Sequence, residues 1–488
     1  MVDKTGPNEQ RTISREHCGF YNAVVIGAIY EFSGSGIDVR SSRSFYGAVK
    51  RCVDKYPSLS VVVRDMHTDA AFFERVARIN LEEHICIVGE DDVKTLATTD
   101  SDDDDLKKIE ALLPSVQDRP WPTSPPPWRV IVLPLSSPEL PNSEQRRCFV
   151  AFSFSHALGD GISALAFHRT FKDGIFDQVD EDCSALEITL ADYPAPFDTA
   201  KNLPISWGFL LGPFLAVLLP KFVSDLLGER ATTSAVGAKT WTGTKMFFDP
   251  KSFRSCIRLI DIQHPEVENM LRVARTNGAR LTATIHQSIV RALSRAIPRR
   301  EAANFVSGTA VNMRRAVGVS DDEMGFFVNA CFESHDRDDA WASPWNERTW
   351  ASARSLTEKL AECAVTLEDQ PVGLLRYIPS IRSWTAAKIG KERDSSYQVS
   401  NLGAFEAAAP CNPSRAGRCD ITKMVFSRSA DATSAPLEFS VVSVKGGSMV
   451  ISVGWQPGAI GIPVESEPAF VEGLVAFLVE DLQNINAK

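Results

Sequence analysis

The sequence predicts an α+β protein built from two similar halves. Short apolar runs typical of buried strands alternate with segments that carry apolar residues at helical spacing, and residues 176–245 divide them into two series. The dividing stretch has few periodic signals and several prolines, as is typical of a long crossover. We therefore predict a first domain over residues 1–175, a crossover segment over residues 176–250 and a second domain over residues 251–488.

The first half is predicted to contain strands rich in Val and Phe, together with two helices. The strands cover residues 24–32, 59–63, 128–133 and 149–155. Apolar residues at helical spacing predict helices over residues 41–56 and 162–171. The acidic run at residues 100–105 is predicted to be a solvated loop rather than a metal site.

The second half is predicted to repeat this mixture without repeating the sequence. Apolar runs predict strands over residues 245–248, 256–262, 305–311, 421–426, 437–444 and 449–453. Helical spacing predicts helices over residues 266–276, 283–296, 350–364, 381–391 and 471–482. Thr282 is placed to cap the second of these helices, and Gly446-Gly447 indicates a hairpin between the last two strands.

The most informative motif is His156-Ala-Leu-Gly-Asp160-Gly161, directly after the strand over residues 149–155. Gly159 and Gly161 permit a sharp turn, so the strand delivers His156 at a rigid tip where an imidazole can meet a substrate. Imidazole titrates near neutral pH and can therefore take a proton from a hydroxyl or amine and return it later. The alternative is a buried histidine that bonds a backbone carbonyl, with Asp160 merely capping the next helix.

A His-x-x-x-Asp-Gly pattern after a buried strand resembles the active-site motif of acyltransferases with the chloramphenicol-acetyltransferase fold. That superfamily includes plant BAHD acyltransferases, peptide-synthetase condensation domains and fungal alcohol acetyltransferases. The sequence resembles the last group most closely, in segments that follow the family's order: Arg15-Glu-His-Cys-Gly-Phe-Tyr-Asn-Ala-Val-Val, Gly278-Ala-Arg-Leu-Thr-Ala-Thr-Ile-His286, Thr309-Ala-Val-Asn-Met-Arg314-Arg315 followed by Met324-Gly-Phe-Phe, and Val399-Ser-Asn-Leu-Gly403.

The resemblance implies two chloramphenicol-acetyltransferase-like domains, each a two-layer α/β sandwich, with the active site in a tunnel between them. It implies that His156 is the general base, and that Asp160 pairs with Arg314 to hold the shape of the loop, supported by Gly161. Arg315 is a rival for this pairing, and an ordinary solvated role for Arg314 is the alternative. An unpaired buried carboxylate would be costly, so a cationic partner is expected if Asp160 is buried.

The resemblance also implies a coenzyme A thioester, most often acetyl, as the donor, with no permanently bound cofactor. The candidates for contact with the pantetheine arm or the acyl carbonyl are Ser400, Asn401 and Gly403, which could instead form a plain strand-ending turn. The start of the helix after Thr282 could receive a phosphate through its free amides.

Composition narrows the function classes. The net charge of −10, without a basic stripe, argues against a nucleic-acid partner. Ten cysteines occur without a C-x-x-C pair, so we expect reduced thiols in a cytoplasmic protein and no metal site. There is no Gly-x-Ser-x-Gly elbow and no phosphate-binding loop, and the polar amino terminus does not predict secretion.

An apolar segment over residues 204–220 has three interpretations. It is too short to span a bilayer and has Pro213 in its middle. It could pack against the protein, line an entrance for an apolar substrate, or lie on a membrane surface as a peripheral contact. Internal packing is the preferred interpretation.

These observations predict an O- or N-acyltransferase. The preferred reaction is acetyl transfer from acetyl-CoA to a hydroxyl or amine of a small apolar natural product or alcohol, by a monomer. One alternative is a condensation-like enzyme that uses a carrier-protein thioester. Another is a cyclase or binding protein that kept the scaffold without acyl transfer, against which the intact His156 and Asp160 weigh.

Overall fold

The computed structural model describes residues 2–33, 36–89, 104–135, 146–178, 184–189, 193–211, 236–406 and 417–485. The strands are β1 (Val2–Lys4), β2 (Val24–Ser33), β3 (Val61–Arg64), β4 (Phe72–Arg75), β5 (Arg78–Asn80), β6 (Ile85–Ile87), β7 (Trp128–Leu135), β8 (Arg146–Phe154), β9 (Ala185–Glu187), β10 (Cys256–Ile262), β11 (Asn304–Asn312), β12 (Val328–Asp336), β13 (Tyr397–Phe405), β14 (Arg418–Arg428), β15 (Leu437–Val444) and β16 (Met449–Trp455). The α-helices are α1 (Pro7–His17), α2 (Tyr46–Lys55), α3 (Asp105–Gln117), α4 (Gly161–Gly174), α5 (His264–Thr276), α6 (Leu281–Ala296), α7 (Glu347–Cys363), α8 (Ile381–Ala386) and α9 (Glu467–Gln483).

Two large sheets organise the molecule. The first has the strand order β14-β2-β8-β7-β6, and β8 pairs antiparallel with both β2 and β7. The second has the order β10-β16-β15-β13-β11-β12, in which β13 lies parallel to both β11 and β15. Small sheets of β1-β4-β3 and β5-β9 complete the fold. The predicted α+β architecture is therefore present in each half.

One strand crosses between the halves. β14 comes from the second half of the chain but pairs antiparallel along its length with β2, at the edge of the first sheet. β15, the next strand in sequence, belongs to the second sheet. The chain between them therefore ties the two sheets together, and the domain boundaries at residues 175 and 251 stay a prediction.

Each sheet has its own apolar core, and a third cluster lies between them. Phe152 and Phe167 stack at 3.8 Å in the first core, between β8 and α4. The second core packs α6 and α9 on the second sheet, with Leu293 and Leu478 fully buried. The third cluster joins α3 to residues of both sheets, including Ile257. This packing fixes the end of β8, and hence the turn after it, relative to the second sheet.

Two local predictions were wrong, and a third gave a helix that is longer than the one in the structure. Residues 245–248 form no strand, because the backbone of Met246 exchanges hydrogen bonds only with the loop at Gly390 and Lys391 (2.8 Å each) rather than with a neighbouring strand. Thr282 does not cap α6, since the helix begins at Leu281 with Arg280 at the capping position. The helix predicted over residues 381–391 ends earlier, as α8 covers only Ile381–Ala386.

Two further segments fall partly outside the described residues. In the acidic run, Asp104 caps α3 and Asp105 begins it, while residues 100–103 lie outside the description. In the apolar segment, Trp207 is exposed and Leu210 lines a cavity, while residues 212–220 lie outside the description. Internal packing of that segment stays a prediction. Within the described part of the chain, no helix is long and apolar enough to cross a bilayer.

Candidate active site

His156 lies two residues beyond the end of β8, at the tip that the sequence predicts. Its Nδ1 is 2.8 Å from the carbonyl oxygen of Gly159, within the same turn. A carbonyl oxygen can only accept a hydrogen bond, so Nδ1 carries the hydrogen and Nε2 keeps the lone pair. The turn thus fixes the tautomer in which Nε2 can accept a proton.

The surroundings of His156 keep it neutral. Its ring lies 4.7 Å from the Phe326 ring and 5.7 Å from the Tyr21 ring, measured between centroids. Burial lowers the pKa of His156 to about 4, because the charged form loses hydration. The Gly159 hydrogen bond and the nearby Asp160 raise the pKa, and the charges of Arg428 and Arg11 lower it further. The imidazole is therefore an unprotonated base at neutral pH.

Asp160 faces away from His156 and serves two structural purposes. Its Oδ1 accepts a hydrogen bond from the Ser163 amide (3.0 Å), which caps α4. Its Oδ2 accepts hydrogen bonds from Arg314 Nη1 (2.7 Å) and from the Phe327 amide (3.0 Å). No hydrogen bond joins Asp160 to His156 in the described structure. The expected ion pair with Arg314 is present, and the neighbouring Arg315 is exposed.

Arg314 fastens the histidine turn to a loop of the second half. Its Nη2 donates to Ser163 Oγ (3.0 Å) and to the carbonyl oxygens of Glu323 (3.2 Å) and Gly325 (3.1 Å). Burial alone would raise the pKa of Asp160, but the Arg314 guanidinium and two backbone amides hold that pKa below its ordinary value. The pair is therefore charged, and it joins the turn after β8 to the segment that carries Phe326.

Gly161 leaves room for the tip of β13. A Cβ atom at this position would lie 2.4 Å from Leu402 Cδ2 and 3.3 Å from Leu402 Cγ. A side chain at Gly161 would therefore push Leu402, which lines the same cavity as His156. The predicted supporting role of Gly161 has a steric basis in this contact.

Three of the four candidate donor-binding residues, Thr282, Asn401 and Gly403, form one hydrogen-bonded group. Asn401 Nδ2 donates to Thr282 Oγ1 (3.0 Å), and the Gly403 amide donates to Asn401 Oδ1 (2.8 Å). Gly403 adopts a φ of +76°, which glycine tolerates, where the β13–β15 register shifts. Ser400 and Asn401 line the cavity, whereas the described lining does not include Thr282 or Gly403. The structure thus places Thr282 beside Asn401, which lines the cavity, and contact of these residues with the donor stays a prediction.

A cavity of about 850 Å³ connects these groups. His156, Asp160 and Gly161 line it from the first half of the chain, and strands β11, β12 and β13 line it from the second. One part of its wall is apolar and includes Val311, Val372 and Leu375. Another part is charged and is formed by α1 and the segment after α8. The volume is ample for a small acceptor and the reactive end of a donor.

Comparison with known proteins assigns the family. A sequence model described as alcohol acetyltransferase matches residues 99–478 of the chain.

The chain belongs to the alcohol acetyltransferase family.

This acetyltransferase family member is 26% identical over 477 residues to a protein of Aspergillus fumigatus described as probable alcohol acetyltransferase crmB, a match that covers 93% of the chain and 95% of the relative. The resemblance predicted from the sequence is thus confirmed, and the protein is an acyltransferase.

Solved structures of this acetyltransferase's fold include a trichothecene 15-O-acetyltransferase, TRI3, from Fusarium sporotrichioides. Its TM-score is 0.65 at 12% identity, with 98% of this chain and 94% of that chain covered. The starter condensation domain of rhizomide synthetase RzmA, solved with C8-CoA and Leu-SNAC, has a TM-score of 0.57 at 10% identity, with 100% and 95% covered. At such identities these likenesses show the fold, which is the predicted condensation-domain and chloramphenicol-acetyltransferase-like one.

Sequence reasoning missed several residues of this acetyltransferase's cavity. Tyr21 and Phe326 lie inside segments that carried the family resemblance, yet nothing local marked their rings as neighbours of His156. Arg11 and Arg15 are four residues apart, a spacing that places both on one face of a helix. That spacing could have indicated a cationic face on α1, had the polar amino-terminal segment been recognised as a helix.

Proposed function

We propose that this acetyltransferase moves the acetyl group of acetyl-CoA to a hydroxyl or amine of a small, mainly apolar acceptor, with His156 as general base. The observation that carries the proposal is the hydrogen bond between His156 Nδ1 and the Gly159 carbonyl oxygen, since it leaves Nε2 unprotonated at the cavity. The family membership supports the acyl-transfer chemistry.

The reaction proceeds through a single transfer. Nε2 of His156 removes the proton of the acceptor as its oxygen or nitrogen forms a bond to the thioester carbonyl carbon. The tetrahedral intermediate then collapses, the carbon–sulfur bond breaks, and the imidazolium returns its proton to the departing thiolate. The products are the acetylated acceptor and coenzyme A, and no covalent enzyme intermediate forms.

The remaining site residues take positioning roles in this proposal. Asp160 and Arg314 hold the histidine turn, and Gly161 keeps Leu402 in the cavity wall. Ser400 and Asn401 lie where the pantetheine arm or the acyl carbonyl would pass, supported by Thr282 and Gly403. A cavity that encloses both reactants brings them together and keeps water from the thioester.

The test replaces His156 with alanine. Thiol release from acetyl-CoA is measured against a panel of alcohols, amines and phenols, with S-acetyl-N-acetylcysteamine as a second donor that mimics a carrier-bound thioester. We expect His156→Ala to lose roughly 10²–10⁴-fold in kcat, and acetyl-CoA to be the better donor. The exposed His67 offers a matched control, and His67→Ala should keep wild-type turnover. Near-normal turnover of His156→Ala at saturating donor would refute the base assignment.

A further inference from the structure

The charged wall of the cavity carries five cations, and four of them are either paired with a carboxylate or exposed to water. Arg11 and Arg15 reach the cavity from α1, Lys388 and Lys391 from the segment after α8, and Arg428 from the end of β14. Three of these cations have a carboxylate partner within ion-pair distance: Arg15–Asp431 (3.2 Å), Lys388–Asp394 (2.7 Å) and Arg428–Glu438 (3.1 Å). Lys391 is exposed, so bulk water can solvate its charge.

Arg11 is the exception on this wall. Its Nε atom is buried without a hydrogen-bond partner, and no ion pair or hydrogen bond of its side chain occurs within the described residues. Two carboxylates lie near enough to attract it, but Asp431 is held by Arg15 and Thr433, and Asp198 accepts from the Asn8 amide (2.6 Å). Burial, together with repulsion from Arg15, lowers the pKa of Arg11 to about 9. Arg11 is half-buried overall, so its guanidinium is charged, only partly hydrated and in contact with the cavity.

A partly desolvated cation without a hydrogen-bond partner is stabilised when an anionic ligand binds it. The position of Arg11 indicates which ligand. Arg11 and His156 line the same cavity, and the charge of Arg11 lowers the pKa of His156. The phosphates of coenzyme A lie at the far end of the pantetheine arm from the thioester, and the acetyl thioester itself is uncharged. An anion that meets Arg11 therefore belongs to the acceptor.

The apolar part of the cavity wall indicates the remainder of that acceptor. Val311, Val372, Leu375 and Ile378 supply an apolar surface in the same cavity. A molecule that satisfies both walls has an apolar body and one anionic group.

We infer that the acceptor is an amphipathic hydroxy or amino acid whose carboxylate binds Arg11 while its apolar chain lies against the wall of Val311, Val372 and Leu375. This inference rests on the proposed function, because it names the acceptor of that reaction. A guanidinium binds a carboxylate through two parallel N–H···O bonds, which also orients the nucleophile toward His156.

The test compares a hydroxy acid with its neutral ester. The acceptors are 3-hydroxydecanoate, whose hydroxyl lies close to its carboxylate, and its methyl ester, and kcat/KM is measured by thiol release from acetyl-CoA. In the wild type we expect the acid to be preferred by roughly 10- to 100-fold, as a charge-assisted hydrogen bond to a half-buried guanidinium implies. Arg11→Met should abolish that preference by weakening the acid alone, and Arg11→Lys should retain part of it. Arg275→Met, an exposed arginine of α5, should change neither substrate.

A second measurement separates this inference from the proposed function. Binding of decanoate and of methyl decanoate is measured by calorimetry without any donor, in the wild type and in Arg11→Met. Decanoate binding that depends on Arg11, without acetyl transfer to any acceptor, would count against the proposed function and leave the carboxylate site standing. Equal use of acid and ester by the wild type, or an equal loss with both in Arg11→Met, would overturn the inference.

Discussion

The ion pair between Asp160 and Arg314 offers the sharpest test of how the site is built. Arg314 is fully buried and the Asp160 side chain is 1% exposed, so neither charge can turn to water when its partner is removed. Arg314→Met keeps the length of the side chain but removes the cation. Removing one partner of a buried pair costs about 3–5 kcal/mol in the free energy of unfolding. Because the Ser163 and Phe327 amides still bind the carboxylate, we expect about 3 kcal/mol.

The pH dependence of this loss identifies its cause. In the wild type, Arg314 holds the pKa of Asp160 below its ordinary value, so the stabilisation is complete above that ordinary value and is lost only in strong acid. In Arg314→Met, burial dominates and the pKa of Asp160 rises above that of the unfolded chain. The folded variant then gains stability as the carboxyl is protonated, so its deficit relative to the wild type should shrink as the pH falls from neutral toward the ordinary pKa of an aspartate.

The assay is urea unfolding followed by tryptophan fluorescence, with kcat/KM measured in parallel. Arg315→Met, at the exposed neighbour, is the matched control and should stay within about 0.5 kcal/mol of the wild type. The double variant Asp160→Asn/Arg314→Met should lose less unfolding free energy than the sum of the losses in the two single variants. The reason is that Asp160→Asn removes the carboxylate charge that Arg314→Met leaves unpaired. A deficit in Arg314→Met no larger than that of Arg315→Met, or one that does not vary with pH, would refute this reasoning.

Two further predictions concern the histidine turn. Gly161→Ala should lower kcat/KM by roughly 10-fold through displacement of Leu402, and adding Leu402→Ala should restore most of the loss; a failure of that rescue would show that the contact is not the cause. Because burial lowers the pKa of His156 to about 4, and only the neutral ring accepts a proton, kcat/KM should stay level from about pH 8 to about pH 5 and fall below that. An inflection near pH 6.5, as for an exposed imidazole, would contradict the burial argument.

The histidine turn was predictable because its determinants are local. The apolar residues before His156 are enough by themselves to indicate the strand β8, and the two glycines permit the turn into α4. β13 was not predicted as a strand, since Ser400, Asn401 and Gly403 are turn-forming residues. Parallel pairing with β11 and β15 overrides that local preference, and neither partner is adjacent in sequence.

The positions of the arginines around the site could not be predicted, because they depend on contacts between segments that are far apart in the sequence. Arg314 and Arg315 are adjacent and chemically identical, and only the packing of the loop over residues 323–327 buries the first and exposes the second. β14 belongs to the second half of the chain but pairs with β2 in the first sheet, and this pairing places Arg428 at the cavity. Arg11 was missed because α1 carries few apolar residues, so its helical period was weak, although polar residues such as Gln10 and Thr12 are buried there.

The arrangement separates two roles that one carboxylate often combines in histidine-based sites. Here the Gly159 carbonyl oxygen orients the ring, while Asp160 bonds Arg314 and holds the turn. With no carboxylate bonded to it in the described structure, the imidazole is a weak base at rest, and its low pKa keeps it unprotonated. In the proposed reaction, proton transfer becomes favourable only when an oxyanion forms beside the ring, because opposite charges attract strongly in a site of low dielectric. The attraction would disappear as the intermediate collapses, so the ring would give the proton to the thiolate. On this proposal the rate comes from holding acceptor and thioester at His156, and Arg11 would contribute by placing the acceptor.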